Sequence, residues 1–208
     1  PSSLIDFSKS ILYSLGFSSN FYFHYTGQEY SSDDGLIKPF LHTWSLSVEK
    51  QFYILFPIVL LITFKYYKKY LLAFLVVCFF ISISIADWGS KNYASANFYF
   101  LHSRMWELLA GSILAYFEIT QGHRSKNQIL NKVLPLIGLL LIAHSIIFFN
   151  EETFHPSFYS FSPIIGICLI IWFSDKNTLV IKMLSSKLLV GIGLISYSLY
   201  LWHYPIFA

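Results

Sequence analysis

The sequence predicts an all-α fold, a polytopic transmembrane helical bundle of about six spans, and three observations carry that prediction. Of the 208 residues, 55% are hydrophobic and only 12% charged, with a mean hydropathy of +0.57, outside the usual range of soluble domains. Apolar runs of helical length recur at 45–64, 71–86, 100–118, 133–149, 161–174 and 188–208. Basic residues fall in alternate connecting segments: Lys65, Lys68 and Lys69, then Arg124, Lys126 and Lys132, then Lys176, Lys182 and Lys187, nine of the fourteen in the chain. Cytoplasmic loops retain such residues, so these segments are expected inside. The opposite loops carry Asp6, Glu29, Asp33, Asp34, Asp87, Glu151 and Glu152 and are expected outside.

Residues 1–43 are mixed and Ser-rich, with Leu4, Phe7, Ile11, Leu15 and Phe17 at near-helical spacing. They read as an extracytoplasmic segment: a short amphipathic helix, then a loop closed by Pro39. Residues 44–208 form the bundle. The first span enters from outside, with His42 and Trp44 at its start and Ser45, Glu49, Lys50, Gln51 and Tyr53 in its first three turns. The second and fifth runs are shorter than the ~20 residues of a full crossing, so they are expected to borrow flanking aromatics or lie among neighbours. The third span again enters from outside. It places Arg104 and Glu107, spaced i, i+3, near its outer end, Gly111 as a close helix contact, and Glu118 at the inner end. The sixth runs inside to out, bringing Tyr200, Trp202 and His203 to the outer end, where Pro205 follows.

Three polar groups of residues, far apart in sequence, are thus expected at one depth. An ionisable group within a bilayer costs at least ~2.5 kcal/mol unless paired or wet, so such groups usually face a bundle interior or an aqueous cavity. A shared outer pocket is the expectation. Each residue also has a plainer reading. Glu49 fits an interfacial carboxylate favoured by its helix dipole, Arg104 and Glu107 a structural pair, His203 an aromatic belt, and His42 a loop or capping residue.

Some classes are set aside. The formal charge of +3 is dispersed over loops, which gives no clustered basic face for nucleic acid. Cys78 and Cys168 lie within apolar runs without companions at metal-ligand spacing, so neither a disulfide nor a metal site is expected.

The stretches LHTWSLSVEKQFYILFP, RMWELLAGSILA and ISYSLYLWHYP together resemble, in order and spacing, the membrane acyltransferase 3 family, in particular its OafA-like O-acyltransferases. The resemblance implies a bundle of about ten helices. It implies transfer of an acyl group, commonly acetyl, from cytoplasmic acyl-CoA as donor substrate to a hydroxyl of an extracytoplasmic glycan such as lipopolysaccharide, peptidoglycan or exopolysaccharide. No tightly bound cofactor is implied. The implied setting is a multi-pass protein of the cell (inner) membrane, with membrane lipid, acyl-CoA and glycan as partners and, in many members, a fused C-terminal SGNH-type domain.

The family's best-known base is a histidine in the first membrane helix, eleven residues after an arginine, and this chain has no such helix. Lys91 and His102 share the spacing but flank an outer loop, so the role does not pass to them. The chain opens without methionine and stops inside an apolar run. It is therefore expected to be part of a longer protein and to be inactive alone. Within it, Glu49, Arg104, Glu107 and His203 are the candidate catalytic residues, and His42, Trp44, Ser45, Tyr53, Tyr200 and Trp202 the candidate substrate-binding ones. The same buried ions would also suit a transporter or flippase, although no repeated halves are evident.

Overall fold

The computed structural model describes residues 2–27, 38–150, 153–175 and 178–207, and all regular structure among them is helical. Glu29, Asp33, Asp34, Glu151, Glu152 and Lys176, assigned to loops above, lie outside the described residues. The helices are α1 (Ser2–Leu15), α2 (Ser19–Tyr25), α3 (Thr43–Tyr67), α4 (Leu71–Asn92), α5 (Ala94–Tyr99), α6 (Leu101–Gln121), α7 (Gln128–Phe148), α8 (Phe161–Phe173), α9 (Leu179–Leu184) and α10 (Lys187–Phe207). A helix covers all but the end residues of each of the six apolar runs among the described residues.

By length and apolarity alone, two helical stretches, not six, suffice to cross a membrane: Thr43–Asn92, in which a 3₁₀ turn at Lys68–Tyr70 joins α3 to α4, and Gln128–Phe148. The physical reason differs for the others. Helix α6 carries Arg104, Glu107 and Glu118, and α8 has only 13 residues. The first 27 residues also hold more structure than expected, since α2 follows α1 after a turn at Phe17 (φ 51°).

Local chemistry sets the helix ends. Asn127 caps α7, its Oδ1 accepting from the N–H groups of Ile129 and Leu130 at 3.0 and 3.2 Å. Gly122 ends α6 in the left-handed region (φ 70°), which a side chain would resist.

Side-chain contacts fix the relative directions. Trp44 meets Arg104 while Phe52 and Leu109 share a buried cluster, so α3 and α6 run parallel. Trp106 faces Phe161 and Phe117 faces Trp172, so α6 and α8 also run parallel. Ser82 bonds the turn at His102 while Leu75 packs with Leu109, which makes α4 antiparallel to α6. Ser162 donates to the Leu141 carbonyl below the Gly138–Gly166 contact of α8 with α7, another antiparallel pair. Tyr200 meets Ser45, and Tyr197 shares a cleft with Glu49, so α10 is antiparallel to α3. Directions therefore alternate along the chain. One end collects the lysine-bearing turns after α3, α6 and α9, and the other collects Trp44, Arg104 and Tyr200.

The expected close contact at Gly111 is not where helices meet. Gly111 is exposed, and an added Cβ would touch nothing within 4 Å. The close approach is instead at Gly138 and Gly166, where a Cβ on either would lie 2.6 Å from the other's carbonyl oxygen.

Candidate functional site

The first turns of α3 present three faces, and each holds a different neighbour. Thr43, Ser47 and Gln51 recur at i, i+4 and i+8 and therefore share one face. Thr43 Oγ1 lies 2.8 Å from Ser14 Oγ and 3.0 Å from Ser19 Oγ, and Ser47 Oγ lies 2.7 Å from Ser19 Oγ. Gln51 Nε2 donates to Asn20 Oδ1 and to the Phe17 carbonyl, each at 2.8 Å. Asn20 Nδ2 in turn donates to the Tyr99 carbonyl at 3.1 Å. This ladder answers for part of the polarity at the head of an otherwise apolar helix: it binds α1 and α2.

The second face carries Trp44, Val48 and Phe52, all buried. Arg104 of α6 lays its guanidinium over the Trp44 ring, 4.7 Å from the centroid, and over Phe98 at 5.1 Å. Its Nε donates to the Phe98 carbonyl at 2.9 Å, and Nη1 lies 3.9 Å from Glu107 Oε2. The cation is thus held by rings, a carbonyl and a carboxylate together. His155, from the segment before α8, is half-buried beside this group. Burial first, and the Arg104 charge second, hold its pKa below the usual histidine value.

The third face carries His42, Ser45 and Glu49 toward the end of α10. The Tyr200 hydroxyl donates to the His42 carbonyl at 2.6 Å, so the 2.7 Å contact with Ser45 has the serine hydroxyl as donor. His42 is 2% exposed, its ring stacked 5.5 Å from Tyr204 and edge-on to His203 at 5.4 Å. Neither of its ring nitrogens has a hydrogen-bond partner among the described residues. Burial first, then the neighbouring His203, push its pKa down to about 4; the Pro39 carbonyl opposes the shift without reaching hydrogen-bond geometry. His42 is consequently a neutral imidazole at physiological pH.

His203 Nδ1 lies 2.6 Å from the Tyr200 carbonyl. A carbonyl only accepts, so in the neutral ring Nδ1 holds the proton and Nε2 keeps its lone pair. Beside this joint, Ser45, Leu46, Glu49, Ser196, Tyr197 and Tyr200 line a cleft of about 360 Å³.

The structure therefore gathers the sequence-selected residues into two adjoining groups. His42, Ser45, Tyr200 and His203 form one, with Glu49 on the cleft wall. Arg104, Glu107 and Trp44 form the other, and Trp44 shares a buried cluster with Tyr204 of α10. Glu49 is exposed and does not face Arg104 through any contact among the described residues. Tyr53 and Trp202 are 53% and 65% exposed and stand outside both groups, Tyr53 beneath the Lys50 ammonium at 5.6 Å.

Sequence reasoning missed Asn97, Ser103 and Ser82, which shape the turn into α6. Asn97 Nδ2 donates to the carbonyls of Ala86 and Pro156, each at 3.0 Å. Ser103 Oγ donates to the Asn97 carbonyl, and Ser82 Oγ accepts from the Trp106 N–H at 3.0 Å while donating to the His102 carbonyl at 2.6 Å. Only the run of small polar residues beside Gly89, where a Cβ would strike Asn97, hinted at such a joint. Cys78 and Cys168 are free thiols, and no group of three or more potential metal ligands occurs among the described residues.

Residues 10–208 match the acyltransferase 3 family model, described as an acyltransferase domain. The peptidoglycan O-acetyltransferase OatA of Listeria monocytogenes is 31% identical over 207 residues, covering 93% of this chain and 33% of that protein. An uncharacterized protein of Haemophilus influenzae is 30% identical over 179 residues, 82% of this chain and 73% of that protein. The chain thus spans about a third of the length of OatA. No solved structure matches. With the family model covering nearly the whole chain and the three motifs meeting around the head of α3, the chain belongs to the acyltransferase 3 family.

Proposed function

We propose that this chain forms the acceptor-side part of a multi-pass O-acyltransferase of the cell membrane, with six spans and residues 1–43 outside. It would move an acyl group, acetyl by preference, from cytoplasmic acyl-CoA to a hydroxyl of a cell-envelope glycan. The observation that carries this reading is the joint of α3 and α10: His42, Ser45, Tyr200 and His203, about 150 residues apart, meet beside a cleft walled by Glu49. His42 is buried there with neither ring nitrogen paired among the described residues, and such a group is expensive unless water or substrate reaches it. The alternating helix directions support the topology, because they bring the turns that carry most of the basic residues to the opposite end.

Acyl transfer to a hydroxyl needs a proton acceptor, stabilisation of the oxyanion and exclusion of water. His203 Nε2, with its lone pair fixed by the Nδ1–H bond, accepts the hydroxyl proton or orients that hydroxyl. Glu49 holds the acceptor in the cleft or supports a histidine base of the kind the family resemblance implies. Arg104, kept cationic between Trp44 and Glu107, offsets negative charge developing on the acyl oxygen. Tyr200 acts through position, since its hydroxyl is engaged by His42 and Ser45. The donor's phosphates meet the lysine-bearing end. The name of OatA makes peptidoglycan the first acceptor to test, ahead of lipopolysaccharide and exopolysaccharide.

Membranes holding the full-length protein, incubated with radiolabelled acetyl-CoA and peptidoglycan, are expected to place label on glycan. Energy-dependent glycan uptake without labelling would instead make the protein a transporter. Glu49→Gln at matched expression should lower transfer about 10²-fold, the lower range for a general acid–base group. Unchanged turnover removes Glu49 from the reaction.

A further inference from the structure

A second cleft, separate from the α3–α10 joint, opens where α7 ends and the segment leading into α8 begins. It encloses about 400 Å³, within the ~300–1,000 Å³ of small-ligand sites. His144, Phe148, Phe149, Asn150, Phe154 and Tyr159 line it, with Thr153. Rings make the walls, and single polar groups sit among them. Phe148 and Tyr159 are 68% and 60% exposed, Phe148 with the His144 ring at 5.0 Å on one side.

The polar groups are oriented. Thr153 Oγ1 donates to Asn150 Oδ1 at 2.8 Å and accepts from the Asn150 N–H at 3.1 Å. The Asn150 amide oxygen is thereby engaged, while its Nδ2 donors, the His144 ring nitrogens and the Tyr159 hydroxyl have no partners among the described residues. A surface meant only for acyl chains would not carry three such groups in one cleft.

The cleft is also fixed relative to the chemistry. Phe149 packs against His155 at 5.6 Å, and His155 lies close enough to Arg104 to feel its charge. Pro156 is tied by its carbonyl to Asn97, and Phe161 packs tilted against Trp106 at 5.2 Å, so α5 and α6 brace the same wall.

We propose that this aromatic cleft is a carbohydrate subsite that grips the acceptor glycan at a distance from the reacting hydroxyl. This rests on the O-acyltransferase reading given above. A sugar ring matches it on both counts. Its C–H face is electropositive at the hydrogens and stacks on the negative face of an aromatic ring, while its hydroxyls meet scattered donors and acceptors. Binding energy from remote parts of a substrate can hold the reacting group in place, which is what a polymer acceptor offers.

The test uses full-length protein in detergent, with soluble tritiated glycan strands released from peptidoglycan by muramidase and no acyl donor present. Equilibrium dialysis should show saturable binding, weakened at least tenfold by Phe148→Ala with Tyr159→Ala and retained by Phe148→Tyr. Equal melting temperatures of the double variant and the wild type check that the fold survives. Equal affinity in the double variant, or no saturable binding by the wild type, overturns the subsite. In brominated phospholipid, fluorescence of a Phe148→Trp variant should be quenched less once glycan is added, and quenching that saturating glycan leaves unchanged assigns the cleft to lipid. Because no acyl donor is present, these outcomes are independent of transfer. A protein that binds glycan here yet never labels it would sink the reaction and leave the subsite standing.

Discussion

The α7–α8 joint and the α3–α10 joint solve the same problem, joining two antiparallel apolar helices, with opposite chemistry. At the first, Gly138 and Gly166 let two backbones touch, and the only cross-helix hydrogen bond between the pair among the described residues is Ser162 to Leu141, at 3.1 Å. At the second, two histidines, two tyrosines and a serine share one contact, and most of α10 below it is exposed. Dry packing depends on shape and tolerates no added volume. A polar joint depends on a few hydrogen bonds, each of modest worth, and leaves space beside it. The first therefore behaves as scaffold, and the second leaves a cleft of about 360 Å³ beside its hydrogen bonds.

The comparison is broken most directly at the glycines. Gly166→Leu drives a side chain into the Gly138 carbonyl and should cost about 3 kcal/mol or prevent accumulation of folded protein, as overpacking does. Denaturant titration in detergent reads it; a loss under about 0.5 kcal/mol would mean the helices can slide apart freely. Tyr200→Phe removes the donor to the His42 carbonyl and the acceptor for Ser45, and should cost about 1–2 kcal/mol. A cycle with Ser45→Ala should return a coupling near 0.6 kcal/mol, the average for hydrogen bonds between membrane helices. Additive losses would show that the hydroxyl contact contributes nothing.

The smallest effect sharpens the contrast by pH. The His42 pKa is about 4 in the folded chain, against roughly 6.5 for an unperturbed histidine. As pH falls below about 6.5 the unfolded chain takes up a proton that the folded chain refuses, so stability is flat above neutrality and declines toward pH 4. Melting temperature measured from pH 7.5 to 5 should fall, and His42→Gln should reduce the slope. The glycine joint, with no titratable group in its contact, should show no such dependence.

Much of the helical layout was legible because apolar runs of helical length and alternating lysines are long-range, additive signals. The meeting of α3, α6 and α10 at one end was legible for the same reason: once directions alternate, depth follows from rise per residue. Azimuth was not. Glu49 and Ser47 lie two residues apart, yet one stands exposed on a cleft and the other is buried against Ser19, and only the crossing of helices decides which way each faces. Ser47 and Thr43 gave little warning, since hydroxyls can bond their own helix and so are silent in a composition count. Gly111 stands out over Gly138 and Gly166 for its neighbours in sequence, whereas contact depends on the partner helix placing a second glycine opposite. Helix α2 escapes a sequence reading because seven residues, SNFYFHY, are too few to show a period.

The Thr43–Ser47–Gln51 ladder makes the opening segment indispensable to the helix it leans on. A version of the protein trimmed to begin at α3 would look, on a hydropathy plot, like a cleaner membrane module, yet it would strip two hydroxyls and a carboxamide of the partners that hold them. The apparent appendage is thus what allows its host helix to be partly hydrophilic, and the two segments would be expected to change together or not at all.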